Sequence, residues 1–127
     1  MKNQKIKVRV WSKPLERFLT KDEWFLDFDG DLHFIEYDED SNQYWPDRVP
    51  EENYVVQQYT GILDKNGVEI YEGDILSYEG IHKVGDGVSI VSFEDGSFMI
   101  DEDIASKDWA VEHKVIGNIF ENSELLK

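Results

Sequence analysis

Hydrophobic and polar residues alternate strictly from Lys5 to Val10, with Ile6, Val8 and Val10 on one side of an extended chain and Lys5, Lys7 and Arg9 on the other. A period of two marks a half-buried strand, which Pro14 then ends. The stretch 15–24, LERFLTKDEW, suits either one helical turn or a loop. Two aromatic-rich runs, EWFLDF and LHFIEY, flank Asp29-Gly30-Asp31 and predict a hairpin. From Asp38 to Asn53 the chain turns acidic and holds Pro46 and Pro50, which predicts a long surface loop or internal joint.

The second half is a series of short apolar runs cut by turn residues. YVVQQYT leads to a turn at Gly61, and Asp64-Lys65-Asn66-Gly67 turns the chain into VEIY. DILSYE follows Gly73, and a glycine-rich loop spans 80–87. VSIVSFE and SFMID flank Asp95-Gly96, a two-residue hairpin signal. WAVEHKVIGNIF reads as a final strand in which Gly117 marks a bulge or close backbone approach, and NSELLK as a last helical turn capped by Asn122 or Ser123.

Turns every eight to twelve residues with no amphipathic helix predict an all-β, mainly antiparallel fold. The rhythm from Tyr71 to Ile100 predicts a small open barrel with an SH3-like second half. The 127 residues fit a single domain, 1–127, with an N-terminal hairpin subregion at 1–50 and the SH3-like subregion at 54–121.

Composition adds a core and a charge. Seventeen aromatic residues (four Trp, six Tyr, seven Phe) supply bulk that a disordered acidic chain lacks. Against 13 basic residues stand 28 acidic ones, a formal charge of −15, which repels nucleic acid and anionic membranes. Cysteine is absent, which excludes thiolate chemistry and Cys-based zinc sites. The opening residues alternate and carry no continuous apolar run, so a signal peptide and a membrane span are not expected, and a cytoplasmic location is.

So many acids call for a calcium test. An EF-hand loop with Gly67 at its sixth position puts Ile62 first and Gly73 twelfth, and neither offers a side-chain oxygen. Starting at Asp38, Asp40 and Asn42 instead places Gln43 sixth and Val49 twelfth. Both registers fail, which leaves only a looser calcium site across 38–53. Gly80 and Gly85 have phosphate-loop spacing, but Asp86 and Gly87 replace the required Lys and Ser/Thr. Ser89 lies in a strand pattern without the second glycine of a nucleophile elbow. His33, His82 and His113 show no ligand spacing, and His113 reads as a strand histidine sharing a face with Val111 and Val115. The aromatic series Trp24, Phe25, Phe28, Phe34, Tyr37, Tyr44 and Trp45 lacks the basic neighbours of a base-stacking platform, so hairpin pairing accounts for it better.

The runs QYTGILDKNGVEIYEGDIL, Gln58 to Leu76, and VIGNIFENSELL, Val115 to Leu126, with KVRVWS at Lys7 to Ser12, resemble the YopX family of phage and prophage proteins. Ser123 stands where that family often has proline. The resemblance implies a small, mostly β, phage-encoded protein with no established catalytic residues to carry over. Within the motif, Gly61, Gly67 and Gly73 are turn formers, as are Asp95, Gly96 and Gly117 elsewhere. Tyr59, Asp64, Asn66, Tyr71, Glu72 and Asp74 form the candidate binding surface.

Three functional readings follow. The first is a non-enzymatic module that binds a host or phage protein, or a second copy of itself, through exposed strand edges. The second is an acidic DNA mimic occupying a basic groove on a host DNA-binding protein. The third is an enzyme built from distant carboxylates, for which no nucleophile or metal set can be nominated. No catalytic residue, metal, cofactor, direct nucleic-acid contact or membrane contact is expected.

Overall fold

A computed structural model of the chain describes residues 5–41, 43–48, 51–79 and 87–126. Twelve strands occur among them, and helix is confined to three single turns. The fold is mainly antiparallel β, as the alternation and turn spacing predict. Contacts group the chain into two compact units, Arg9–Val56 and Met1–Val8 with Gln57–Lys127.

In the smaller unit, β1 (Val8–Ser12) pairs with β2 (Arg17–Phe18). Trp11 meets Phe18 edge-on at 5.1 Å, and the Arg9 guanidinium lies 4.7 Å from the same ring. The stretch read as helical turn or loop therefore carries β2. A meander follows: β3 (Trp24–Leu26), β4 (Leu32–Asp38) and β5 (Gln43–Arg48). Trp24 opposes Phe34 across β3 and β4, and the hairpin turn falls at Gly30, whose φ is +87°. The expectation of a long acidic surface loop or joint from 38 to 53 needs correction, because seven of its residues are strand, Asp38 in β4 and Gln43–Arg48 in β5. Pro46 is tolerated since β5 is the edge of its sheet and needs no outward N–H.

The larger unit takes most of β6 (Tyr54–Leu63), then β7 (Glu69–Tyr71), β8 (Asp74–Tyr78), β9 (Gly87–Glu94), β10 (Ser97–Ile100) and β11 (Asp103–Ile104). A four-residue helix α1 (Lys107–Ala110), β12 (His113–Asn118) and a 3-10 turn at Ser123–Leu126 complete it. Five strands form an antiparallel sheet in the order β11-β10-β9-β8-β12. Ile70, Leu76, Val91, Ile100 and Ala110 make its buried core, with Ile62, Ala105, Trp109 and Val115 packed against them. Each buried Val, Leu or Ile among them contributes about 1.5–3 kcal/mol by leaving water.

Two expectations need correction in this unit. Gly61 lies inside β6, where pairing with β7 shifts register between Tyr59 and Leu63, so it marks a bulge and no turn. The final strand starts later than WAVEHKV suggests. Ser106 caps α1 by accepting from the Trp109 N–H, so Trp109 and Ala110 are helical and Val111 lies outside the strand, 63% exposed. Gly117 is the expected bulge, where β12 slips against β8. A Cβ there would collide with the Asn122 side chain, which accepts the Asn118 N–H. The glycine-rich loop at 80–86 lies outside the described residues.

Candidate functional site

The motif Asp64-Lys65-Asn66-Gly67 is a turn built on one carboxylate. Asp64 Oδ1 accepts the N–H of Asn66 at 2.8 Å and of Val68 at 2.9 Å, and Gly67 takes φ of +81°. Its Oδ2 accepts the Val115 N–H at 2.9 Å, tying the turn to β12. Asp64 is only 6% exposed. Burial pushes its carboxyl up, but the N–H groups of Val115, Val68 and Asn66 outweigh that and hold it below its ordinary range. Asn66 itself stands exposed at the tip.

Asp74 does similar work one turn later. It is buried, and its Oδ2 accepts the Tyr71 N–H at 2.8 Å. The Glu72 N–H donates to the Gln58 carbonyl at 2.9 Å, and the Gly73 N–H to the Val91 carbonyl at 2.7 Å. Gly73 has φ of +84°, and a Cβ there would strike the buried Gln57 amide, so only glycine fits. Tyr59 and Tyr71 do come together as a cross-strand pair, ring centroids 5.6 Å apart. Beside them the Lys7 ammonium grips both Glu69 oxygens at 2.9 and 3.0 Å. That hydrogen bond raises the Lys7 pKa, while burial and then the Glu69 charge raise that of the Tyr59 hydroxyl. Asp95 and Gly96, with φ of +51° and +80°, form the predicted tight hairpin.

Other candidates also resolve into architecture. Ser89 is buried in β9 and donates to Asp101 at 2.7 Å. His113 is 1% exposed, and its Nδ1 donates to the Trp109 carbonyl at 2.6 Å, while its Nε2 is buried without a hydrogen-bond partner. His82 lies outside the described residues, and the expected loose calcium site across 38–53 falls largely on side chains that do as well.

Two features went unread in the sequence. Asp27, Asp29 and Asp31 bring carboxylate oxygens within 4.8 Å of one another on the β3–β4 turn. Asp27 Oδ1 accepts the N–H of Asp29 and of Asp31, at 3.0 and 2.9 Å, and Oδ2 pairs with His33 Nε2 at 2.9 Å. The histidine first, then the Asp31 N–H, lowers the Asp27 pKa. Both oxygens are thus engaged, and an exposed acidic turn alone does not define a metal site. The spacing D-x-D-G-D was the available signal. The second feature is a cleft of about 530 Å³ in the larger unit, walled by Gln58 to Ile62, Phe98, Lys107 and Lys5 to Lys7. It gathers residues far apart in sequence, so no local pattern announces it.

These features define an antiparallel β protein whose motif acids serve its own backbone. Residues 7–127 match the YopX protein family, and the chain belongs to it. It is similar to the solved structure of protein EF1440 from Enterococcus faecalis, with 27% identity and a TM-score of 0.67 over 98% of this chain and 100% of that one. It also shares its fold with protein yopX from Bacillus subtilis, with 23% identity and a TM-score of 0.65 over 94% and 97% of the two chains. No curated protein matches the chain. Among the described residues no helix is long and apolar enough to cross a membrane.

Proposed function

We propose that the chain is a non-enzymatic, phage- or prophage-encoded interaction module that binds a host or phage protein in the bacterial cytoplasm. One observation carries this reading. Val88 and Ile90 on β9 alternate with buried Ser89 and Val91, and stand 40% and 36% exposed. Met99 opposes Ser92 on that same side, and Ile104, 66% exposed, opposes Met99. This side of the five-stranded sheet thus presents an apolar row, the kind of surface that marks a protein contact. Against a DNA mimic, several acids are spent internally: Asp64 and Asp74 on backbone N–H groups, Glu69 on Lys7 and Glu23 on Arg17. Mimicry of duplex charge needs ordered rows of free ones.

The test is affinity capture from host lysate with the wild type and a Val88→Glu/Ile104→Glu variant that keeps its circular dichroism. A salt-tolerant partner lost in the variant supports the apolar contact. Equal capture by both chains, or a partner released by salt, argues against it, and the second outcome favours the acidic mimic.

A further inference from the structure

The smaller unit holds a pocket of its own, of about 220 Å³, that no basic residue lines among the described residues. Its apolar rim stands open: Leu15, ahead of β2, is 55% exposed, and Ile35 on β4 is 37% exposed. Phe34 and Tyr54 supply an aromatic wall, their ring centroids 4.8 Å apart and their planes at 89°. Rings set at right angles make a corner, and the ring that meets its partner edge-on keeps both of its own faces clear of it. The Ile35 N–H donates to the Glu23 carbonyl at 3.2 Å, which fixes the acidic side of the pocket against this wall. The two acids on that side, Asp22 and Glu23, differ in what they can still accept. Glu23 is fully engaged: the Arg17 guanidinium donates to both its oxygens at 2.9 Å, and the Thr20 N–H donates to Oε1 at 2.8 Å. Asp22 is exposed, and among the described residues only the Thr20 hydroxyl reaches it, at Oδ1, so Oδ2 has no partner.

We infer that this pocket takes one arginine side chain of a partner protein, its guanidinium between Asp22 Oδ2 and the aromatic corner and its aliphatic stem over Leu15 and Ile35. Size favours a side chain over a free ligand, since about 220 Å³ lies below the roughly 300–1,000 Å³ of small-molecule sites. Chemistry favours arginine over lysine. A guanidinium is weakly hydrated, stacks on aromatic faces and pairs with carboxylates, whereas an ammonium is a strongly hydrated point charge. The long stem of the same residue covers the exposed leucine and isoleucine as it enters. The charge of −15 steers a basic partner surface towards the chain. The inference goes beyond the apolar row of the larger unit and does not depend on it: the Val88→Glu/Ile104→Glu variant should bind an arginine probe as the wild type does.

The experiment is an NMR titration of the whole chain with N-acetyl-arginine amide, its uncharged isostere N-acetyl-citrulline amide, and free arginine. The blocked arginine is expected to give saturable shifts at Glu23, Phe34, Ile35 and the Tyr54 ring. Citrulline should bind about tenfold more weakly, since a charge-assisted hydrogen bond becomes a neutral one. Asp22→Asn should weaken the blocked arginine by a similar factor, and Asp22 is exposed, so its replacement leaves the fold intact. Tyr54→Leu should weaken it about fivefold through the lost ring face. Should that variant misfold, Asp22→Asn alone decides. Absence of saturable shifts, equal binding of citrulline, or unchanged affinity in a folded variant would each overturn the inference. Tighter binding of free arginine than of the blocked form would overturn it as well, because the pocket would then be reading the charged termini of a metabolite.

Discussion

Asp27 to Asp31 in the smaller unit and Asp64 to Val68 in the larger one form the same turn. In each, the first aspartate's Oδ1 accepts the N–H groups two and four residues on, at 2.8–3.0 Å. In each, its carbonyl accepts from the glycine at the fourth position, and its own N–H reaches the fifth residue's carbonyl. Gly30 and Gly67 carry φ of +87° and +81°. The two differ in the second carboxylate oxygen. Asp64 spends it on Val115, 51 residues away, and is buried by doing so. Asp27 spends it on His33 within its own hairpin, beside two further acids, and remains partly open. One local device thus serves as a long-range staple in one unit and as a surface ornament in the other.

The largest expected effect follows from the staple. Asp64→Ala leaves three N–H groups without their acceptor and should cost about 3–5 kcal/mol in denaturant unfolding. A loss below about 1 kcal/mol would erase the distinction. The same carboxylate sets a pH dependence. Its pKa is lowered in the folded chain, so its stabilisation is complete above the unfolded value near 3.9 and is lost as pH falls through the folded one. Unfolding at pH 7 and in acid should show a shallower fall for Asp64→Asn than for the wild type. Glu23, held at about 2 by the Arg17 guanidinium, works in the same direction in both chains.

Smaller effects test the sameness of the turns. Gly30→Ala and Gly67→Ala meet no steric obstacle, only positive φ, and should cost about 1–2 kcal/mol each. Widely different costs would mean the two turns are not equivalent. Asp27→Ala should change the unfolding midpoint least, its visible signature being faster amide exchange at Asp29 and Asp31, whose N–H groups lose their acceptor. A loss matching that of Asp64→Ala would contradict the contrast.

The turns were legible because D-x-N-G and D-G state their own geometry within four residues, and KIKVRVW states its strand by alternation. Neighbourhood of that kind fails elsewhere. Pro46 disguised β5, since only the sheet reveals that its strand is an edge. Ser106 caps a helix too short to show a period. The partner of Asp64 Oδ2 lies on β12, and the cleft draws on four separate stretches of chain, so neither is written in any one of them. Read locally, Asp64 and Asp74 could be binding residues; their burial against backbone N–H groups is what makes them architectural.

The most direct test of that architectural role is native-state hydrogen exchange at Val115 in Asp64→Asn. The amide oxygen can still accept from Asn66 and Val68, but its NH2 replaces the acceptor that faced Val115. Val115 exchange should accelerate roughly 10- to 100-fold while Val68 keeps its protection. Wild-type protection at Val115 would show that the carboxylate does not hold β12 to the turn.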